Sequence, residues 1–130
     1  MEKFVVHGGI PLSGSITPSG NKNEALPVLA ATLLAQDPVI LHNVPDILDI
    51  TIMRGLLESL GVEVKQIDKH SFSFDSVNLQ SANPDSTQAS RIRGSFLLAG
   101  PLLARKKSIV LPAPGGDRIG LRPVQTHLSA

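Results

Sequence analysis

The sequence predicts an α/β fold built from repeated βαβ-like units. Apolar residues recur at helical spacing over residues 47–60, and Gly61 stands where such a helix ends. Residues 62–64 and 71–74 alternate apolar and polar side chains, which is typical of half-exposed strands. A helix-like segment followed by a strand-like segment also occurs twice, about 70 residues apart.

The two copies of this repeat are similar in detail. Residues 29–35 (LAATLLA) followed by 39–41 (VIL) match residues 98–104 (LAGPLLA) followed by 109–111 (IVL). A single repeat unit cannot bury its apolar face alone. We therefore expect the copies to pack together, and we expect further units to follow in the complete protein.

The remaining elements are assigned from local patterns. A turn cluster at 19–23 leads into a helix over 24–35, in which Pro27 is tolerable only in the first turn. Pro101 should kink a helix over 91–105 or mark a boundary in it. Strands are predicted at residues 3–7, 12–17, 38–41 and 108–111; the segments at 38–41 and 108–111 are expected to be buried. A Pro- and Gly-rich loop covers 112–120, and a last element begins at residue 122.

The amino-acid composition disfavours several classes of protein. Hydrophobic residues make up 42% of the 130 residues but aromatic residues only 3%, which disfavours a protein that stacks nucleic-acid bases on aromatic rings. The net charge of +1 provides no field toward nucleic acid or an acidic membrane. Cysteine is absent, and the four histidines have no ligand spacing. We expect a cytoplasmic protein without metal, cofactor, nucleic-acid partner or membrane span.

The turn around Lys22 is the first candidate for chemistry. Gly20 permits close backbone approach, and the following helix directs its first N–H groups toward the turn. Lys22 adds a positive charge there, so a phosphate or carboxylate would be well held. A capped helix with a solvated lysine explains the same residues and is favoured on spacing alone.

Two further candidates carry arginine. The loop Pro-Gly-Gly-Asp at 114–117 has an acid, Asp117, and leads to Arg122 before Pro123. Arginine there can bind a phosphate through two N–H groups or stack on a planar base; a surface hairpin with solvated charges is equally compatible. Arg93 stands at the start of an apolar helix, where a solvated helix end is the plainer interpretation. Together, these cations indicate a site for a phosphate-containing ligand.

At these residues the chain resembles the enolpyruvyl transferase family, within it the class that acts on UDP-N-acetylglucosamine. The resemblance extends from Lys3 to Ala130. It is carried by residues 19–27 (SGNKNEALP), 43–47 (NVPDI), 93–95 (RGS), 100–105 (GPLLAR) and the loop from 114 to Arg122-Pro123. It implies a partial inside-out α/β barrel, with phosphoenolpyruvate and UDP-N-acetylglucosamine as ligands.

The resemblance also implies roles for individual residues. Lys22 matches the lysine that contacts phosphoenolpyruvate, and Asn23 its neighbour. Asp117 falls at the position of the general acid, where many relatives carry cysteine. The remaining matches concern the UDP-sugar: Arg93, Arg122, Pro123, Val124, Gln125 and Thr126. Gln125 replaces an acid that is common at the uridine contact.

Family members are several-fold longer and have two domains. By resemblance, residues 1–20 hold strands that pair with the distal domain, and residues 21–130 form an incomplete first domain. We therefore expect little turnover by this chain alone, and its oligomeric state is open. The alternatives are a 3-phosphoshikimate 1-carboxyvinyltransferase, which shares fold and chemistry, and a non-catalytic module that binds a nucleotide sugar.

Overall fold

The computed structural model describes residues 3–116, 120 and 123–129. The described helices are α1 (Lys22–Ala31), α2 (Leu48–Ser59), α3 (Ser86–Ala89), α4 (Ala99–Lys106) and α5 (Gln125–Leu128), with 3-10 helices at Thr32–Leu34 and Arg93–Leu98. The described strands are β1 (Val39–Leu41), β2 (Glu63–Asp68) and β3 (Ser71–Asp75). No helix in these ranges is long and apolar enough to cross a membrane.

The three strands form one sheet in the order β1-β3-β2. Both β1 and β2 run antiparallel to β3, with Val39 opposite Phe74 and Glu63 opposite Asp75. β1 and β2 are therefore parallel to each other, connected through α2, and separated by β3. This arrangement is a split βαβ unit, which agrees with the predicted α/β fold class.

The side chains of the three strands differ in how far they are buried. Central β3 buries both phenylalanines, Phe72 and Phe74, and is thus less exposed than predicted. Ile40 in the edge strand β1 is 53% exposed, so the prediction of a buried strand at 38–41 is wrong in that respect. Successive side chains of a strand point to opposite faces, so Ile40, which lies opposite Ser73, is on the face away from Phe72 and Phe74.

Single residues explain where α2 ends and where α1 begins. α2 occupies the predicted segment and is followed by Gly61 at φ +98°, the left-handed conformation expected of a residue that terminates a helix. α1 begins at Lys22, two residues earlier than predicted, because Asn21 caps it. Pro27 consequently lies in the second turn. The carbonyl that loses its helical partner there belongs to Asn23, which is exposed to water.

The core is aliphatic, as the composition predicts. It lies between the helices and the sheet, and α1, α2, α4 and both 3-10 helices contribute to it. Its fully buried large side chains are Leu29, Leu33, Met53, Leu56, Leu57, Leu60, Phe74, Leu98 and Leu102. Members of both repeat copies, Leu29 and Leu98 among them, belong to this one cluster, so the copies do pack together.

The predicted helix over 91–105 is divided. Residues 93–98 form a 3-10 helix, and α4 starts at Ala99, with Pro101 in its first turn. Proline is compatible with a first turn because the N–H it lacks has no helical partner there. Pro101 thus marks a boundary, which confirms one of the two predicted outcomes.

Three predicted strands are not observed. Residues 3–7, 12–17 and 108–111 form no strand in the described chain. Phe4 is 98% and Leu12 99% exposed. A strand is stabilised by pairing and by covering its apolar face. The described residues pair with none of these segments, and only the last is partly covered, because Ile109 packs against the core.

Candidate functional site

A cleft of about 630 Å³ opens where the N-terminal ends of α1 and α2 meet the segment around Arg93. Its volume lies within the range of small-molecule sites, about 300–1,000 Å³. Its lining residues come from five regions of the chain: Lys22, Asn23, Leu26, Leu48, Asp49, Arg91, Arg93, Gly94, Phe96, Leu97, Gly116, Val124 and His127. Four residues predicted for the site, Lys22, Asn23, Arg93 and Val124, therefore line one cavity.

The position of Lys22 is set by the turn before it. A side-chain oxygen of Asn21 accepts a hydrogen bond from the backbone N–H of Asn23 at 2.7 Å, which caps α1. Gly20 packs against the turn after β1 so closely that a Cβ atom built on it would lie 1.9 Å from the carbonyl oxygen of Asn43. Only glycine fits this contact. The predicted need for close approach at Gly20 is met by protein rather than by ligand.

Lys22 forms an ion pair within the cleft. Its Nζ lies 2.7 Å from Oδ2 of Asp49, in the first turn of α2. Asp49 was not among the predicted site residues. An acid in the first turn of a helix is adequately explained by the helix dipole, so no sequence signal distinguishes it.

The segment that carries Arg91 and Arg93 packs against the start of the glycine-rich loop. A Cβ atom on Gly115 would lie 1.6 Å from the carbonyl oxygen of Ser90, and one on Gly116 would lie 3.2 Å from the backbone N of Arg93. The loop backbone therefore lies directly against the segment that carries Arg91 and Arg93. Gly115 and Gly116 therefore permit this packing.

Two predicted residues, Asp117 and Arg122, lie outside the described residues. Gly116, which precedes Asp117 in the chain, lines the cleft. After Arg122, Val124 lines the cleft, whereas the described residues Pro123, Gln125 and Thr126 are exposed and are not part of its lining.

An aromatic contact borders the cleft next to Val124. The ring centroids of Phe96 and His127 are 6.0 Å apart at an interplanar angle of 55°. His127 comes from α5, which is only one turn long. No sequence pattern distinguishes His127, because its place at the cleft depends on its packing against Phe96.

The chemistry of the cleft favours an anion. Its described lining carries three full cations, Lys22, Arg91 and Arg93, against one acid, Asp49. Arginine and lysine together with a helix N-terminus are the groups that proteins use to bind phosphate and carboxylate. Within the described residues, no group of histidine and acidic side chains is arranged to hold a metal ion.

Comparison with known proteins yields one family. The sequence profile of EPSP synthase (3-phosphoshikimate 1-carboxyvinyltransferase) matches residues 6–130. A UDP-N-acetylglucosamine 1-carboxyvinyltransferase of Treponema denticola is 43% identical over the whole chain. One of Bradyrhizobium diazoefficiens is 46% identical over 98% of the chain. The chain spans 30% of the length of each of these relatives.

A solved structure gives the same fold. The enolpyruvyl transferase NikO from Streptomyces tendae superposes on 77% of this chain with a TM-score of 0.67 and 29% sequence identity. The matched region is 23% of that protein. The α/β fold of the enolpyruvyl transferase type is therefore confirmed for this chain.

Proposed function

Because the chain belongs to the EPSP synthase (3-phosphoshikimate 1-carboxyvinyltransferase) family, we propose that it carries part of the active site of a UDP-N-acetylglucosamine 1-carboxyvinyltransferase. The observation that carries the proposal is the cleft, which brings Lys22, Asn23, Arg93 and Val124 to one cavity. The names of the relatives at 43% and 46% identity support the choice of acceptor sugar. The ligands would be phosphoenolpyruvate and UDP-N-acetylglucosamine.

The proposed reaction transfers enolpyruvate in two steps. The sugar 3′-hydroxyl oxygen bonds to C2 of phosphoenolpyruvate, the hydroxyl proton leaves to a base, and C3 gains a proton from an acid. The tetrahedral adduct then loses a proton from C3 while the bond between C2 and the phosphate oxygen breaks, which releases phosphate. The reaction requires an acid at C3 and cations near the phosphate and carboxylate.

The residues of the chain are assigned to these tasks by the resemblance. Asp117 would protonate C3, and Lys22 with Asn23 would contact phosphoenolpyruvate. For the UDP-sugar we propose Arg93, Arg122, Pro123, Val124, Gln125 and Thr126. The base and further phosphate-binding arginines would come from the part of the family fold that these residues do not cover. The product would enter peptidoglycan synthesis.

The domain assignment is also a proposal. Residues 1–20 would pair with strands of the distal domain, and residues 21–130 would form the first part of the other domain. The apolar side chains of Phe4, Ile10, Leu12 and Ile16 are exposed. This supports the assignment of residues 1–20, because exposed apolar patches mark surfaces that another part of a protein covers.

The sister reaction is the main competing function. The description of the matching family profile names 3-phosphoshikimate 1-carboxyvinyltransferase, whereas the relatives reported above carry the UDP-sugar name. Both reactions consume phosphoenolpyruvate, so only the acceptor separates them. A nucleotide-sugar binding module without turnover would bind the UDP-sugar but would not need phosphoenolpyruvate.

Binding titrations of the native gene product separate these functions. We expect saturable binding of UDP-N-acetylglucosamine and phosphoenolpyruvate, and no saturable binding of shikimate 3-phosphate. Lys22→Ala should weaken phosphoenolpyruvate binding by roughly tenfold or more, because it removes a charged hydrogen bond. The matched control is Lys69→Ala, which removes an exposed lysine that does not line the cleft. Preference for shikimate 3-phosphate would overturn the proposal.

A further inference from the structure

The ion pair between Lys22 and Asp49 joins two elements of the cleft. Lys22 is the first residue of α1, and Asp49 is the second residue of α2. The residues are 27 positions apart in sequence, yet Nζ and Oδ2 are 2.7 Å apart. Both side chains line the cavity, so the pair lies inside the candidate site.

Stability does not account for this pair. The side chain of Lys22 is 49% exposed and that of Asp49 33% exposed. Exposed ion pairs contribute little to folding, since water screens the attraction and a long side chain loses freedom when it is held. The packing of α1 against α2 is already provided by buried apolar residues such as Leu29 and Met53.

The pair does restrict where the lysine charge lies. A lysine ammonium stands on a flexible stem of four carbons and samples many rotamers when nothing holds it. Asp49 has a short side chain on a regular helix, so its carboxylate is a fixed point on the wall of the cleft. Its contact therefore holds Nζ at that wall, in the cleft that Arg93 also lines.

We propose that Asp49 is a positioning residue that acts through Lys22: it holds the ammonium group where the phosphate or carboxylate of phosphoenolpyruvate binds. This role rests on the proposed function and adds to it a residue that does not itself bind the ligand. Groups that bind a reacting ligand are effective when a second layer of contacts fixes their geometry, and Asp49 supplies such a contact to Lys22.

The proposal predicts an effect opposite in sign to that of simple charge repulsion. Asp49 is an acid within a cleft that would bind an anion, so removal of its charge should by itself tighten binding. If Asp49 positions Lys22, removal of its charge instead weakens binding. Whether the affinity for phosphoenolpyruvate falls or rises in Asp49→Asn therefore distinguishes positioning of Lys22 from simple charge repulsion.

The test compares phosphoenolpyruvate affinity in variants of the native gene product. We expect Asp49→Asn to raise the dissociation constant roughly tenfold. The melting temperature should fall only slightly, because the change removes one partly exposed acid from the first turn of α2. Asp49→Glu should restore part of the affinity because it keeps the carboxylate. Glu58→Gln is the matched control, because it removes an exposed acid from the other end of the same helix, away from the cleft.

A double variant shows whether Asp49 acts through Lys22. The combination of Asp49→Asn with Lys22→Ala should bind phosphoenolpyruvate no more weakly than Lys22→Ala alone, since the first change has nothing left to act on. If the double variant raised the dissociation constant by the product of the two single effects, the positioning role would be overturned. Unchanged or tighter binding by Asp49→Asn would overturn it as well.

The same titrations separate failure of this role from failure of the proposed function. If wild type binds phosphoenolpyruvate and Lys22→Ala weakens it, but Asp49→Asn does not, only the positioning role is overturned. If wild type shows no saturable binding of phosphoenolpyruvate, the proposed function is overturned, and the role of Asp49 is overturned with it.

Discussion

By the resemblance, Asp117 falls at the position of the general acid, where many members of the family carry cysteine. A carboxyl group can donate a proton to carbon, as the proposed reaction requires, if it is protonated when the ligand binds. A carboxylate is, however, a much poorer nucleophile than a thiolate. The two side chains should therefore serve the same proton transfer and differ toward electrophiles.

We accordingly predict that the epoxide antibiotic fosfomycin does not inactivate this protein. Asp117→Cys should introduce time-dependent inactivation, because it supplies the thiolate that fosfomycin alkylates in cysteine-bearing relatives. The measurement is residual activity against time, with intact mass to detect the adduct. Asp117→Ser is the matched control for adduct formation by intact mass, since serine is similar in size to cysteine but has no reactive sulfur; its activity is not followed, because the substitution removes the proposed acid. Covalent labelling of wild type at Asp117 would contradict the prediction.

Sequence alone predicted part of the cleft. Local chemistry and the resemblance both selected Lys22 and Arg93, and the resemblance alone selected Asn23 and Val124. All four line one cavity. Asp49 and His127 were missed because each reaches the cleft through a contact that has no local signature: an ion pair across 27 positions, and a ring contact with Phe96. Such contacts depend on how α2 and α5 pack, which residue spacing does not encode.

At the scale of the element, the start of α1 depends on a backbone contact. Gly20 lies against the carbonyl of Asn43, a residue with φ of +56° in the turn after β1. The contact connects the N-terminal end of α1 to the sheet. Because Lys22 follows two residues later, the same contact sets the position of the candidate anion site.

Gly20→Ala should therefore destabilise the fold, by about 1–3 kcal/mol, since the added carbon would overlap the Asn43 carbonyl. Gly100→Ala is the matched control. Gly100 is in helix α4, and a Cβ atom there would meet nothing within 4 Å. That change should stabilise the fold by about 0.5–1 kcal/mol. Urea unfolding measures both, and equal effects of the two variants would contradict the account.

The turn between β2 and β3 contains a carboxylate with a perturbed pKa. Oδ1 of Asp68 accepts a hydrogen bond from the backbone N–H of His70 at 2.8 Å. That bond, followed by one from the Ser71 hydroxyl, lowers the pKa of Asp68 below its ordinary value. The charged form is thus the one that the turn favours.

The lowered pKa of Asp68 should make the stability of the fold depend on pH. A carboxyl whose pKa is lower in the folded than in the unfolded state stabilises the fold above the unfolded value, about 3.9, and loses this effect as pH falls through the folded value. We predict that Asp68→Asn lowers the melting temperature near neutral pH and that the difference from wild type shrinks in acid. Asp37→Asn, at an exposed acid, is the control. A difference that grows in acid would contradict the prediction.

Elements with a strong internal pattern were predictable, and those that depend on a partner were not. α2 and its terminal Gly61 follow from apolar spacing and a single glycine. Residues 3–7 and 108–111 have strand-like composition, but the described residues offer them no strand to pair with. Pairing is a property of two segments, so composition of one segment cannot guarantee it.

At the scale of the molecule, the N-terminal segment differs from the rest. Every described residue from 3 to 19 is exposed, whereas residues 22–107 enclose the core. The segment therefore contributes little to the stability of the described fold. If it pairs with a distal domain, its contribution should appear only when that domain is present.

Deletion of residues 1–17 should accordingly leave the unfolding free energy of the 130-residue chain within about 0.5 kcal/mol of the original value. The same deletion should be clearly destabilising in a chain that also carries the distal domain, because it would remove paired strands. Urea unfolding of the four chains provides the comparison. A large loss in the 130-residue chain would contradict the proposed assignment of residues 1–20.

We propose that the protein that carries this cleft transfers enolpyruvate to a UDP-sugar. The most direct test is release of inorganic phosphate from phosphoenolpyruvate by the native gene product. We predict release that requires UDP-N-acetylglucosamine and that Lys22→Ala greatly reduces. Release that requires shikimate 3-phosphate instead, or no release with either acceptor, would contradict the claim.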